Sequence, residues 1–241
     1  MDDPTALLRA PGAPDDSVTN GFVNPLDLFN YLSPSAWINE AIANLTGVDV
    51  FGWMTDWIGG SWDAVWKFGD ALGHLGDCFQ QIGINIQQAI IDADRSWDGN
   101  ASDSAYQYFS SFAAAVSGQQ LALHDAAESY HNAARGAWEL SSQLGNILQA
   151  LADKVIIAGI AAALGTATSE TGVGAVVGYG VSGLMVLQML ELVNRASVII
   201  NTAGTVILGL FGAARDLANQ GGDLSAVPLP TTPYSAPAGL T

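Results

Sequence analysis

From Ser61 onward, apolar and polar positions follow one another with helical spacing. Trp62, Val65, Gly69, Leu72, Gly76, Phe79, Ile82, Ile86, Ile90 and Ala93 recur at steps of three and four residues. That stripe predicts one amphipathic helix of about nine turns. Gly69, Gly73, Gly76 and Gly83 lie in or beside it, and each weakens an isolated helix by up to about 1 kcal/mol against alanine. Such costs are tolerable only where bare backbone is useful, most simply for the close approach of a second helix.

A second stripe starts beyond Asn100 and runs through Ala105, Phe109, Phe112, Val116, Leu123, Ala127, Tyr130, Ala134, Ala137, Ser141, Leu144, Leu148 and Leu151, with Tyr106 and Trp138 beside it. Asn100 or Ser102 is the expected N-cap, and Asp103 suits the positive end of the helix dipole. Two long helices joined by a few residues fold back on each other, so residues 60–150 are expected to form an antiparallel hairpin.

The pattern changes after residue 150. Residues 155–169, 171–190 and 196–214 contain no charge and read as three helical segments, separated by Glu170 and by Glu191 with Arg195. The run 171–190 would measure about 30 Å as a helix, enough to cross a bilayer. Gly174 and Gly178 give it a small-xxx-small pattern suited to tight helix contact. Two readings of the apolar helical section 151–220 stand: helices buried against the long helices or within an oligomer, or a membrane-active protein that opens a pore or is anchored in the envelope through the apolar helices 155–214. A protein that is soluble first and inserts later satisfies both.

The flanks differ again. Residues 1–34 carry Pro4, Pro11, Pro14, Pro25 and Pro34 and are expected to be a flexible, mostly irregular segment. Residues 35–58 predict short helices, with Ser35 as a cap, Trp37, Ala41 and Leu45 at helical spacing, and Trp53 and Trp57 on one face. Residues 221–241, with Pro228, Pro230, Pro233 and Pro237, are expected to be a disordered tail. The expected class is all-α: a long helical hairpin followed by apolar helices between irregular ends.

Composition narrows the function classes. Charged residues make up 12% of the chain, with 23 acidic against 7 basic, a net charge of −16 and a pI near 4.1. Nucleic acid requires a basic footprint and is set aside as a partner. Cys78 is the only cysteine, so neither an internal disulfide nor a cysteine-based metal cluster is available. The opening MDDPTALLRAPGAPDD lacks a basic stretch followed by an apolar run, so export through a cleavable signal peptide is not expected.

Candidate chemistry is sparse. Glu128 and His131 have Glu-x-x-His spacing, but di-iron bundles need two such pairs and two further glutamates. The facing helix offers only Asp70, His74 and Asp77. Gly178, Gly180 and Gly183 match a dinucleotide fingerprint in spacing, without the strand that must precede it. No Gly-x-Ser-x-Gly elbow occurs. Neither enzyme, cofactor nor metal site is expected.

The stretch RSWDGNA, Arg95–Ala101, falls at the turn of the hairpin. A glycine there suits the end of the first helix, because a C′ residue often takes φ > 0. Trp97 can cover the open end of the hairpin or stand partly exposed as a handle. With Trp97, Asp98 and Gly99 at the apex of two long helices, the chain resembles the WXG-motif family of type VII (ESX) secretion substrates. The resemblance covers about residues 60–150. The apolar helices and Pro-rich tail resemble those of longer ESX secretion-associated proteins and of the trafficking domains of actinobacterial polymorphic toxins.

The resemblance implies secretion, or residence in the cell envelope, through the type VII machinery. It also implies an actinobacterial source and a small helical WXG-like partner, with a homo-oligomer as the other arrangement. The expected packing face comprises Trp62, Trp66, Phe79, Ile86, Phe109, Phe112, Tyr130 and Trp138. One departure is clear. The family's Tyr-x-x-x-Asp/Glu export motif is missing, since Tyr106 leads to Ser110, Tyr130 to Ala134 and Tyr234 to Ala238. A partner that carries the motif is the sharper expectation.

Overall fold

The computed structural model describes residues 1–14, 22, 61–167 and 173–220. Among them are three α-helices, α1 (Trp62–Asp94), α2 (Asn100–Ala167) and α3 (Val173–Gln220), a short 3-10 turn over Pro4–Leu7, and no strand. The fold is all-α, a long antiparallel hairpin followed by apolar helix. The short helices expected over 35–58, Trp53 and Trp57 with them, and the tail expected over 221–241 lie outside the described residues.

The chain divides into two compact units. The first holds Met1–Ala13, Ala64–Ala133 and the chain from Gly209, and the second holds Pro14–Asp63 and Ala134–Leu208. In the first, α1 packs along α2 through a seam of glycines spaced seven residues apart. A Cβ added at Gly69 would lie 2.9 Å from the Ala127 carbonyl oxygen. One at Gly76 would meet the His124 ring at 2.8 Å and the Gln120 carbonyl oxygen at 3.3 Å. One at Gly83 would reach the Ala113 carbonyl oxygen at 2.6 Å and Ser117 N at 2.9 Å. Numbers rise on α1 as they fall on α2, so the helices run antiparallel. A seven-residue repeat holds one stripe toward the partner over several turns. Gly73 is off this line and has room, its nearest neighbour being Ala127 Cβ at 3.8 Å.

Polar pairs fix the same register. Gln120 Nε2 donates to Asp77 Oδ1 at 3.1 Å, and His124 Nε2 lies 2.9 Å from the same oxygen. Nearer the apex, Gln87 Nε2 donates to Ser110 Oγ at 3.3 Å. A one-residue slip would break these bonds and drive the glycines away from α2.

The N-terminal residues are irregular, as expected, but they are tied down. Asp3 caps the 3-10 turn by accepting from Thr5 Oγ1 at 2.7 Å and Thr5 N at 2.9 Å. Those bonds, the hydroxyl's first, hold its carboxyl below the usual aspartate range. Asn85 Nδ2 donates to the Asp2 carbonyl at 2.7 Å, His74 Nδ1 lies 3.2 Å from the Arg9 carbonyl oxygen, and Gly12 N donates to Asp70 Oδ2 at 2.5 Å. The segment therefore runs antiparallel along α1. His74, Cys78 and Asn85 share one helical face, and Cys78 is buried between these attachment points. Proline spacing shows where regular structure fails; it does not show whether an irregular segment docks.

The second unit has its own core. Leu144, Ile147, Leu148, Leu151 and Val155 of α2 are buried with Met189, Ala196, Ile200 and Ala203 of α3. Ser141 is fully buried, and its hydroxyl is satisfied by the Ala137 carbonyl at 2.9 Å. Ser182 Oγ donates to the Ala158 carbonyl at 3.2 Å, pairing positions equally far from the α2–α3 connection, as an antiparallel pair requires.

Helix boundaries differ from the pattern's suggestion in two places. The change of composition near 150 is not a helix end, since α2 continues to Ala167. Residues 149–154 are Gln, Ala, Leu, Ala, Asp and Lys, with no glycine or proline to stop it. Nor do Glu191 and Arg195 separate two segments, for both are exposed positions within α3. Charge marks a helix's solvent side; it does not break the backbone pattern.

The seam makes opposite predictions for two glycines. Gly83→Ala should destabilise the protein by about 1–3 kcal/mol, because α2 backbone must move to admit the methyl group. Gly118→Ala, with nothing within 4 Å of the added carbon, should stabilise it by about 0.5–1 kcal/mol. Urea unfolding followed by circular dichroism measures both. Truncation of residues 1–12 should raise the reactivity of Cys78 toward a thiol reagent roughly tenfold or more, since thiol reactivity follows exposure.

Candidate functional site

The apex of the hairpin is built by two separate terminations. At the end of α1, Ser96 donates to the Ala93 carbonyl from its backbone N at 3.1 Å and from its hydroxyl at 3.3 Å, closing the last turn. Arg95 pairs with Asp92 at 3.2 Å on the open surface, where such a bridge contributes about 0–1 kcal/mol. The chain then turns through Trp97, Asp98 and Gly99, all exposed.

Gly99 does not end α1. It lies five residues past Asp94 with φ +106°, and its carbonyl accepts from Asp103 N at 3.1 Å. That is the first bond of α2, so Gly99 occupies the N-cap position expected of Asn100 or Ser102. Asn100 is already helical, and Ser102 is buried in the first turn. The glycine is required by its backbone angle, since no atom lies within 4 Å of where a Cβ would stand. Trp97 remains 44% exposed.

The expected packing face is divided between different duties. In the first unit, Trp66 stacks on His131 with ring centroids 3.9 Å apart, and Tyr130 meets Phe68 edge-on at 4.9 Å. Tyr108 bridges Phe109 at 5.2 Å and Phe112 at 6.4 Å. Phe109 is exposed, while Phe79, Ile86 and Phe112 are half-buried. Trp62 and Trp138 belong to the second unit. Trp62 borders its core, and Trp138 receives the buried Phe22 edge-on at 6.4 Å. Periodicity marks an apolar face but does not choose between contacts within the chain and contacts with a partner. Four exposed positions of the first unit lie off the stripes altogether: Phe68, Leu75, Ile84 and Leu121.

The residues weighed for chemistry are dispersed. His131 stacks on Trp66, whereas Glu128 of the same Glu-x-x-His pair is exposed. Asp70 and Asp77 bind Gly12 N and Gln120, and His74 faces the Arg9 carbonyl. Among the described residues no group of three or more His, Cys, Asp or Glu is placed to hold a metal ion. Gly178, Gly180 and Gly183 lie inside α3, where no phosphate-binding loop forms. An open groove of about 310 Å³ lies beside Gly83, between Ile84 and Ile91 of α1 and Ala113 of α2.

Comparison with protein-family models, with curated proteins and with solved structures finds no match. The class defined by fold and geometry is thus a helical-bundle protein with an exposed Trp-Asp-Gly turn.

The two apex residues should separate in a stability measurement. Trp97→Ala is expected to stay within about 0.5 kcal/mol of wild type, as exposed substitutions do. Gly99→Ala is expected to cost about 1–3 kcal/mol by forcing a side chain into a left-handed backbone. Thermal or urea denaturation of both variants checks this.

Proposed function

We propose that the protein is a non-enzymatic substrate of, or associate of, type VII (ESX) secretion, exported as a helical complex. The observation that carries this reading is the apex: Trp97 stands 44% exposed beside a glycine at φ +106°, between two long antiparallel helices. An exposed indole with no evident stability role at a turn is suited to recognition. The apolar positions left exposed on the first unit, Phe68, Leu75, Ile84, Phe109 and Leu121, support a helical partner. A small WXG-like protein that carries the absent Tyr-x-x-x-Asp/Glu motif fits that role, with a homo-oligomer as the alternative. The destination under this reading is the cell surface or the medium.

The test is export from a host with an active type VII system, co-expressing a small helical protein encoded beside this one. Trp97→Ala and Gly99→Ala should reduce the protein in culture filtrate while its cellular level holds. Trp97→Ala is the decisive variant, because its stability should be unchanged. Wild-type export of both variants would remove the turn from the recognition signal.

A further inference from the structure

We propose that the outer face of α3 is a coiled-coil seam that joins two copies of this chain in antiparallel orientation. Leu184, Glu191, Val198 and Thr205 are seven residues apart, and Leu187, Asn194, Asn201 and Leu208 each follow three residues later. These are the a and d positions of a heptad repeat, held for about three and a half heptads. All eight are exposed, with Leu187 at 67% and Leu208 at 72%. The opposite face carries the core stripe, where Met189, Ala196 and Ala203 are buried at the same seven-residue spacing. The helix thus has two heptad stripes back to back, one covered and one bare. A solvent-facing helix surface is ordinarily charged, yet between Leu184 and Leu208 the only charges are Glu191 and Arg195.

The stripe is complementary to its own reverse. A two-fold axis at the level of Ala196 sets Leu184 opposite Leu208 of the second copy and Leu187 opposite Thr205. It also sets Glu191 opposite Asn201 and Asn194 opposite Val198. Every layer then joins an a position to a d position, and the same patch serves both copies. Leucines close both ends. The Asn201 amide donates to the Glu191 carboxylate, so neither group is left unpaired on burial. The two copies of Asn194 flank the axis, where their amides can bond to each other. Arg195 lies at the edge of the seam, with its head in solvent and Glu191 four residues before it. A parallel pair would set Glu191 against Glu191, and the like charges would repel.

The polar row separates this occupant from lipid. The stretch Gly180–Leu210 is long and apolar enough to cross a membrane, and only 17% of its most apolar window is buried. A carboxylate and two amides in the middle of its outer face are costly in hydrocarbon, whereas in a helix pair such groups fix register and orientation. From Leu184 to Leu208 the stripe is about 36 Å long, and one helix width of about 10 Å gives it about 400 Å² in plan on each copy. That is toward the small, reversible end of protein interfaces, so the dimer should dissociate on dilution. The seam lies on the second unit and does not rest on the secretion reading.

Analytical ultracentrifugation of the full chain across roughly 1–100 μM tests this. Wild type should pass from monomer to dimer. Leu187→Glu and Val198→Glu should each weaken the dimer about tenfold or more, since a charge without a partner enters the seam. Leu121→Glu, equally exposed but on the first unit, should leave it unchanged. Circular dichroism should show the same helix content in all four proteins. Orientation is read from Leu184→Cys and Leu208→Cys, made singly with Cys78 replaced by alanine: they should form a disulfide when mixed and neither should do so alone. A monomer throughout, an unchanged dimer in both stripe variants, or loss of the dimer in Leu121→Glu would each overturn the proposal. So would disulfides that each cysteine variant forms with itself, the mark of a parallel pair. Binding of a monomeric wild type to phosphatidylcholine vesicles, abolished by Leu187→Glu, would assign the stripe to lipid instead.

Discussion

The close approach of α1 to α2 at Gly69, Gly76 and Gly83 governs the geometry of the hairpin. At Gly83 the neighbours are the Ser117 hydroxyl and two backbone atoms of α2, and the backbone cannot rotate aside as a side chain can. Removing three side chains from one heptad stripe lets the helices meet at short range, and the lost helix propensity is offset by that contact. The buried residues opposite are correspondingly small: Ala113 and Ala127 lie along α2 where the glycines of α1 arrive. The Asp77–Gln120–His124 group then fixes the register that the glycines permit.

The apex follows from this arrangement. Antiparallel helices in close contact need an abrupt reversal, which the chain achieves with separate devices at each side. Ser96 closes α1, and Gly99 opens α2 in a conformation that other residues rarely adopt. Between them Trp97 is held outside both helices. The same turn chemistry that permits the hairpin thus leaves a large aromatic side chain accessible, the feature on which the proposed recognition rests.

Apolar surface is distributed unevenly along α2 and α3. From Leu144 to Val155 α2 is covered by α3, and Ala196, Ile200 and Ala203 supply small, well-packed contacts. On the outer sides of the pair Ile156, Ile157, Leu184, Leu187, Val198 and Leu208 stay exposed. Two helices can bury only the facing stripe of each, so side chains on their outer faces need a third element or another medium. This is the physical origin of those exposed aliphatic side chains.

Much of this was legible in residue order. The helical period of α1 and α2, the use of glycine for close approach, and the Trp-Asp-Gly turn all express local chemistry repeated along one chain. The rest depended on what each helix meets. Trp62 and Trp66 are one helical turn apart, yet one borders the core of the second unit and the other stacks on His131 within the first. Gly99 suits either end of a turn, and only the bond from Asp103 N assigns it to the start of α2. Residues 1–14 have no periodicity at all, so their docking along α1 through Asp70, His74 and Asn85 was invisible before the helix face was in place. Sequence by itself determined which segments are helical and which sides are apolar, because period and propensity are properties of a single element. Tertiary structure decided which of those sides are covered and which residues cap, strap or stay exposed, because contacts are properties of pairs.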